Sequence, residues 1–504
     1  MKIGWGKREY SMDVPANLFG QMHMRVSEGI LDPLCVTALL LEGEDTALFI
    51  SVDTEGVPTV LMDAVTEAVH AKFPDIPAEA VVMNATHSHT AMQLPDGNLE
   101  TPDGFKVFPP EKTRAHVLEK VLEAVGDAYA NRTEGGIAYG YGYAVAGHSR
   151  RVTYCKDMSE DDPNQVAPNG HAIMYGKTNL PEFMGYEAGA DHFLNVMYTF
   201  DGNDRLTGMI INVPCPSQTS ENIHKMSADF WNEVRNGVAE TFGKDVYVLP
   251  QCAAAGDLSP RILHYSRAQQ RRMELKYGIH YELVGWKEDM QSYFLKSMAE
   301  RYDIAERILT AVKEVYAWAK KDIAHDVPVR HLKRTIEIHR RMVTDEEAAW
   351  CRRNVAALNA LIAEAEHEDL SPDDYNRKIS KLRSFVRRNE RAIERNETEE
   401  PGAKMDTVIH TIEVGDIAFT TTRFELYMDY MHRIQARSPF IQTFVIQLAG
   451  EGGASYLATK RAEANRGYSA SIFCNMASSE GGQELVEETL SMLEEMKAKD
   501  TAEA

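Results

Sequence analysis

Several things are scarce in this chain, and each scarcity narrows what it can be. No stretch approaches the ~20 consecutive uncharged apolar residues that a membrane-crossing helix needs. The start, Met1-Lys2-Ile3-Gly4-Trp5-Gly6-Lys7, has no apolar segment of signal-peptide length, so a soluble, cytoplasmic protein is expected. Cysteine is sparse: six residues, at 35, 155, 215, 252, 351 and 474, with no C-x-x-C pair. That spacing fits reduced thiols and argues against a disulfide frame. Positive charge is short too, with 54 Lys and Arg against 76 Asp and Glu and a formal net charge of −22. A polyanion or an anionic membrane surface is therefore a poor main partner, and nucleic acid is not expected. There is no internal repeat and no sustained a/d heptad, which removes solenoids and coiled coils from consideration.

What is present is enough for a large core. The 504 residues are 44% hydrophobic and 26% charged, too long for one minimal domain. Apolar, β-branched runs recur at Cys35 to Glu42, Ala47 to Val52, Ala80 to Asn84, Gly136 to Ala144, Phe193 to Phe200, Leu206 to Pro214 and Val246 to Leu249. Between them, Pro58 to Phe73 and Pro110 to Ala130 each open on proline, a favoured first helical residue, and then place apolar residues three and four apart. This alternation is α/β, with a mixed central sheet flanked by helices. From Arg261 to about Gly402 the chain turns charge-rich and helical, over Met298 to Lys320, Thr344 to His367 and Ser371 to Asn396. Thr344 with Glu347 makes a capping box and Ser371-Pro372 a cap with a first-turn proline. These helices read as mostly solvated, a subdomain (261–402) within one catalytic domain (1–504). Strands return at Asp416 to Thr422 and Phe440 to Leu448, and Lys497 to Ala504 reads as a disordered tail.

Two short motifs carry the chemistry. Asn84-Ala85-Thr86-His87-Ser88-His89-Thr90 ends an apolar run, and Gly256-Asp257-Leu258-Ser259-Pro260 follows another. Both fall where α/β proteins build sites, at the carboxyl ends of buried strands. Alternation from Thr86 to His89 in an extended chain puts both imidazoles on one side, as two metal ligands or a ligand and a proton carrier would require.

In that order the motifs resemble the signatures of the neutral/alkaline ceramidases, zinc amidases with an N-x-x-H-x-H stretch and a G-D-(V/L)-S-P stretch. Glu28-Gly29-Ile30 with Ala38-Leu39, the Arg150 region, Phe424-Glu425-Leu426 and Tyr456-Leu457-Ala458-Thr459 match further, from about Gly20 to Tyr468. The family's secretion signal and C-terminal immunoglobulin-like domain are not expected here. The resemblance implies that His87 is a zinc ligand, that His89 faces the substrate carbonyl, and that Glu425 and Tyr456 are further ligands. It makes Tyr468 a second site tyrosine, Arg150 (or Arg151) the residue that binds a polar substrate group, and Ser259 catalytic, usually as nucleophile.

One departure stands out. Where the family has its second histidine ligand, this chain reads Val213-Pro214-Cys215-Pro216-Ser217. Cys215 is therefore expected as a zinc ligand with His87, Glu425 and Tyr456. The alternatives are that His192 or His224 moves in, or that the metal is lost and Cys215 is a buried thiol. Ser259 attacks the amide, or a metal-bound water does. Asp257 is expected to fix the turn rather than act as a base. The expected activity is zinc-dependent hydrolysis of a linear amide in a small N-acyl compound, with no stable membrane association. The rivals are hydrolysis of another ester or of a sugar or amino-acid amide, and a binding protein without turnover.

Overall fold

Strict alternation along the hairpin Cys35–Glu42 and Thr46–Val52 sorts its side chains between two cores. Val36, Ala38, Leu40, Leu48 and Ile50 point to one side, where helices Thr59–Lys72 and Pro110–Asn131 lay Val65, Val69, Val117 and Val121 over them. Leu39, Leu41 and Phe49 point to the other side, into a core shared with Leu249, Ile412 and Phe419. The computed structural model describes residues 1–96, 107–158, 170–284, 287–453 and 455–503.

The central sheet is mixed, as the sequence predicts. Its strand order is Tyr247–Cys252, Leu206–Val213, Phe193–Asp201, Thr133–Tyr143, Lys2–Glu9, Cys35–Glu42, Thr46–Val52, Val81–Ala85. The outermost pair at each end is parallel, and the pairs between are antiparallel. At the middle joint only Lys2 and Ile3 pair with Glu134 and Thr133, and the two halves face each other. Across the interface Ser51 Oγ donates to Pro250 O at 2.6 Å and Asn84 Nδ2 to the same oxygen at 3.1 Å. A four-stranded sheet, Val329–His339, Lys404–Val414, Ile417–Thr421 and Gln442–Ile446, closes the inner core, with Phe419 and Phe49 centroids 5.0 Å apart. Helices Phe230–Phe242 and Met290–Ala319 cover one outer face, and Met428–Arg437 with Ser479–Glu503 cover another. No helix among the described residues is long and apolar enough to cross a membrane.

The predicted caps form: Thr344 Oγ1 accepts from Glu347 N while Glu347 returns to Thr344 N, and Ser371 caps Pro372–Thr398. Helices Asp345–Ala365 and Pro372–Thr398 pack on each other as a hairpin. Elsewhere the structure departs from the sequence reading. The charge-rich stretch holds an eleven-residue strand, Val329–His339, because its alternating charged and apolar residues pair with Lys404–Val414. Helix Met290–Ala319 buries a full face that includes Glu300, Arg301 and Asp303. The Lys2–Glu9 strand is additional, and the helix from Ser479 continues to Glu503 where a disordered tail is expected.

Burial depresses several half-buried histidines. His331 Nε2 meets His410 Nδ1 at 2.9 Å, and burial pushes His331 down to about 4; burial also pushes His148 down to about 4 and His23 to about 3. A base whose folded pKa is depressed binds its proton in the unfolded state first. Stability is therefore expected to fall as pH drops from about 6.5 toward 4, by about 1.4 kcal/mol per unit for each such group. Urea midpoints recorded across that window should decline, and more shallowly in His331→Gln. A flat profile would contradict this assignment.

Candidate active site

The first motif leaves strand Val81–Ala85 differently from the predicted alternation. Thr86 N donates to Val52 O (3.0 Å) and Ser88 N to Thr54 O (2.9 Å), and between them His87 takes φ +62°. That left-handed conformation costs a non-glycine residue roughly 1–2 kcal/mol, and such strain is held by its surroundings at functional sites. It brings the two rings together, centroids 4.8 Å apart and 82° between planes, with Nε2 to Nε2 at 3.4 Å. His87 Nδ1–H donates to Glu55 O at 2.7 Å, which leaves Nε2 with its lone pair aimed at the site, 3.4 Å from Glu425 Oε2. His89 Nδ1 lies 3.5 Å from Glu221 Oε2. Gly20, at φ +110°, passes so close that a Cβ there would lie 2.6 Å from His89 Cγ, so only glycine fits.

Glu425 and Tyr456 are set side by side by a two-residue parallel bridge, Glu425 with Tyr456 and Leu426 with Leu457. Arg150, 2% exposed, ties this bridge to the second motif. Its Nη2 donates to Gly256 O (2.9 Å) and Tyr456 OH (3.2 Å) and lies 3.6 Å from Glu425 Oε2; its backbone N donates to Asp257 O (3.1 Å). Tyr468 stacks edge-on against Tyr456 at 5.9 Å. Arg151 points away, into a bidentate pair with Glu187, so Arg150 is the site arginine. No donor is aligned for a hydrogen bond to the buried Glu425 Oε2.

The electrostatics divide the residues by role. Burial opposes charge on His87, but Glu425 beside it raises its pKa above the usual value. Burial, with the charge of His87 adding to it, lowers that of His89, which is therefore a neutral base. Burial would raise Glu425, yet His87 and Arg150 hold it below the carboxylate range. Burial raises Tyr456 and Tyr468 well above 10, so both keep their protons as donors.

Other expected residues stand apart. Cys215 is 1% exposed in an apolar cluster with Phe230 and Trp231; its Sγ–H faces Pro216 O at 3.5 Å, and burial beside Cys252 and Asp229 raises its pKa strongly. Among the described residues it does not form a three-residue metal group with His87 and Glu425: at the end of Leu206–Val213 the short side chain packs into the core. His224 lies 3.5 Å from Glu28, and His192 is near His148. Ser259 is fully buried in a bridge with His148 and accepts the Arg261 amide at 3.1 Å. Asp257 accepts Met428 N at 3.1 Å, at the start of helix Met428–Arg437, a contact with a distant segment and not with its own turn.

For zinc, His87 Nε2, the orphaned Glu425 Oε2 and Tyr456 OH fit a site of three side chains with one position open. Among the described residues no group of three His, Cys, Asp or Glu is placed to hold a metal, so Tyr456 would be essential to that set.

The residues open on a cleft of about 810 Å³, whose inner end is formed by His89, Arg150, Tyr175, Gln218, Tyr456 and Tyr468. Glu55, Tyr175, Glu221 and Arg261 are additional members that sequence reading missed: the first three have no motif around them, and Arg261 follows Gly256–Pro260 without being part of it. Glu221 is pulled down to about 2 against its burial by Arg261 and His89.

No family model and no curated protein matches this sequence. Solved structures do. The neutral ceramidase from Pseudomonas aeruginosa superposes with a TM-score of 0.64 at 16% identity, covering 98% of this chain and 74% of that one. A ceramidase complexed with C2 gives 0.65 at 14% identity, covering 99% and 75%. The chain has the fold of these ceramidases.

Proposed function

We propose that the protein is a ceramidase-like hydrolase of a linear amide bond in an N-acyl compound, working on a soluble or weakly amphiphilic substrate in the cytoplasm. The observation that carries this reading is that His89, Arg150, Tyr456 and Tyr468 line one cleft with His87 and Glu425 directly behind them, His87 against His89 and Glu425 against Arg150, in a fold shared with ceramidases. Arg150 donates toward the carbonyl oxygen, where negative charge develops. Neutral His89, exposed to the cleft, takes the proton from the attacking group and returns it to the leaving amine, with Tyr468 as a second donor. Zinc belongs to this proposal: held by His87, Glu425 and Tyr456, it would supply Lewis acidity at the carbonyl.

Ser259 is fully buried with its Oγ accepting the Arg261 amide, and this reading takes water rather than the serine hydroxyl as nucleophile. Ser259→Ala is therefore expected to keep a reduced but measurable rate on short N-acyl amines. Complete loss of turnover, together with an acyl group trapped on Ser259 by mass spectrometry, would replace this route with a covalent one. Silence of the wild-type protein across N-acyl amines, N-acyl amino acids, N-acetyl sugars and ceramides would remove the hydrolase reading.

A further inference from the structure

The outer wall of the cleft carries charge that the reaction at its inner end does not use. Helix Pro372–Thr398 presents Arg377, Lys378 and Lys381 to the cavity, and Lys287 lines it too. Two carboxylates face the same space, and both are engaged: Glu221 by Arg261 and His89, Asp374 by its cap to Ser371 and by Arg377 at 3.6 Å. Lys378 pairs with Glu368. Lys381 is left over. No carboxylate among the described residues pairs with it, and its stem runs past Phe385, Nζ 5.4 Å from the ring centroid. Desolvation at the wall, with Lys287 and Arg388 nearby, pushes its pKa down, and Arg25, Arg377 and Lys381 add to the burial that depresses His23 in the same lining. In a chain of net charge −22 this is a local reversal of sign. Low-dielectric walls lined by one sign of charge concentrate ligands of the other. Met22, Leu382 and Phe385 lie among these cations and provide apolar contact for a short chain.

We infer that this wall is an anion subsite, so that the amide substrate carries a carboxylate or phosphate distal to the scissile bond, with Lys381 as its counter-ion. The inference rests on the amide-hydrolase reading and names its substrate class: acidic N-acyl compounds in preference to neutral lipid amides.

The test compares N-octanoylethanolamine, its O-phosphate and N-octanoylglycine. The wild-type protein should show a KM about tenfold lower for at least one anionic amide than for the neutral one, with the difference shrinking in added salt. Lys381→Met should cut that preference about fivefold through KM, and Lys381→Arg should largely preserve it. Preference for the phosphate alone or for both anions identifies which group the wall reads. Equal KM for neutral and anionic amides, or an equal effect of Lys381→Met on both, overturns the subsite. Calorimetric binding of N-octanoylglycine to Glu425→Gln protein separates the two readings. Lys381-dependent binding in a protein whose wild type hydrolyses nothing keeps the anion site and discards the hydrolase. Absence of such binding in a protein that hydrolyses neutral amides discards the anion site alone.

Discussion

Glu425→Gln should lower kcat/KM on a short N-acyl amine by roughly a thousandfold, the scale seen when one preorganised electrostatic partner is removed from a buried site. The carboxylate sits 3.4 Å from His87 Nε2 and 3.6 Å from Arg150 Nη2, and its charge faces both. The amide keeps the shape of the side chain but removes its charge and exchanges one acceptor oxygen for a donor NH2, so circular dichroism should change little. Bound zinc, measured by mass spectrometry of the purified protein, should fall sharply in Glu425→Gln and His87→Ala. Cys215→Ser should leave it unchanged, because that thiol faces Pro216 in the core. Undiminished activity in Glu425→Gln would remove this carboxylate from the site, and zinc lost in Cys215→Ser would return the cysteine to the ligand set.

The largest expected effect on stability lies outside the cleft lining. Arg301, fully buried on helix Met290–Ala319, donates from Nη2 to Asp32 Oδ2 at 2.7 Å and to Glu233 Oε1 at 2.8 Å, from Nε to Glu233 Oε2 at 3.0 Å, and from Nη1 to Ser227 Oγ at 3.0 Å. It ties that helix to Phe230–Phe242 and to the Asp32 loop. Arg301→Met leaves two carboxylates without their counter-ion in a low-dielectric setting. The cost should be about 3–5 kcal/mol, read as a lowered urea midpoint. Removing the whole charge cluster in Arg301→Met/Asp32→Asn/Glu233→Gln should recover much of that loss, since breaking such a pair costs more than replacing it. A loss below about 1 kcal/mol in the single variant would mean that water reaches the cluster and the pair is effectively a surface one.

Much of the architecture was legible in sequence because local rules wrote it. Period-two runs such as Cys35 to Glu42 became strands, proline-headed periodic segments became Thr59–Lys72 and Pro110–Asn131, and the Thr344–Glu347 capping box opened its helix as expected. The candidate site was partly legible for a different reason: His87, His89, Arg150, Glu425, Tyr456 and Tyr468 lie in or near short motifs whose order resembles that of the neutral/alkaline ceramidases. Glu55, Glu221 and Tyr175 had no such flag, and Arg261 lies one residue past the second motif. They enter through loops, and a loop residue's neighbours are set by where the rest of the chain passes.

By itself, then, the sequence determined the element types, the α/β class and the identity of the groups that could do chemistry, because periodicity, caps and residue type are local properties. Tertiary structure decided which of those groups meet. A left-handed residue, not strand alternation, brings His87 to His89. A two-residue bridge between distant segments sets Glu425 beside Tyr456. Cys215 and Ser259 are turned into the interior although their motif positions suggested the site. It also decided which charges are solvated, burying Arg301 on a helix that reads as exposed while turning Lys381 into a cleft. The physical reason is the same throughout: direction, burial and dielectric surroundings belong to the packed arrangement, and a side chain's charge state and partners follow from them rather than from its place in the chain.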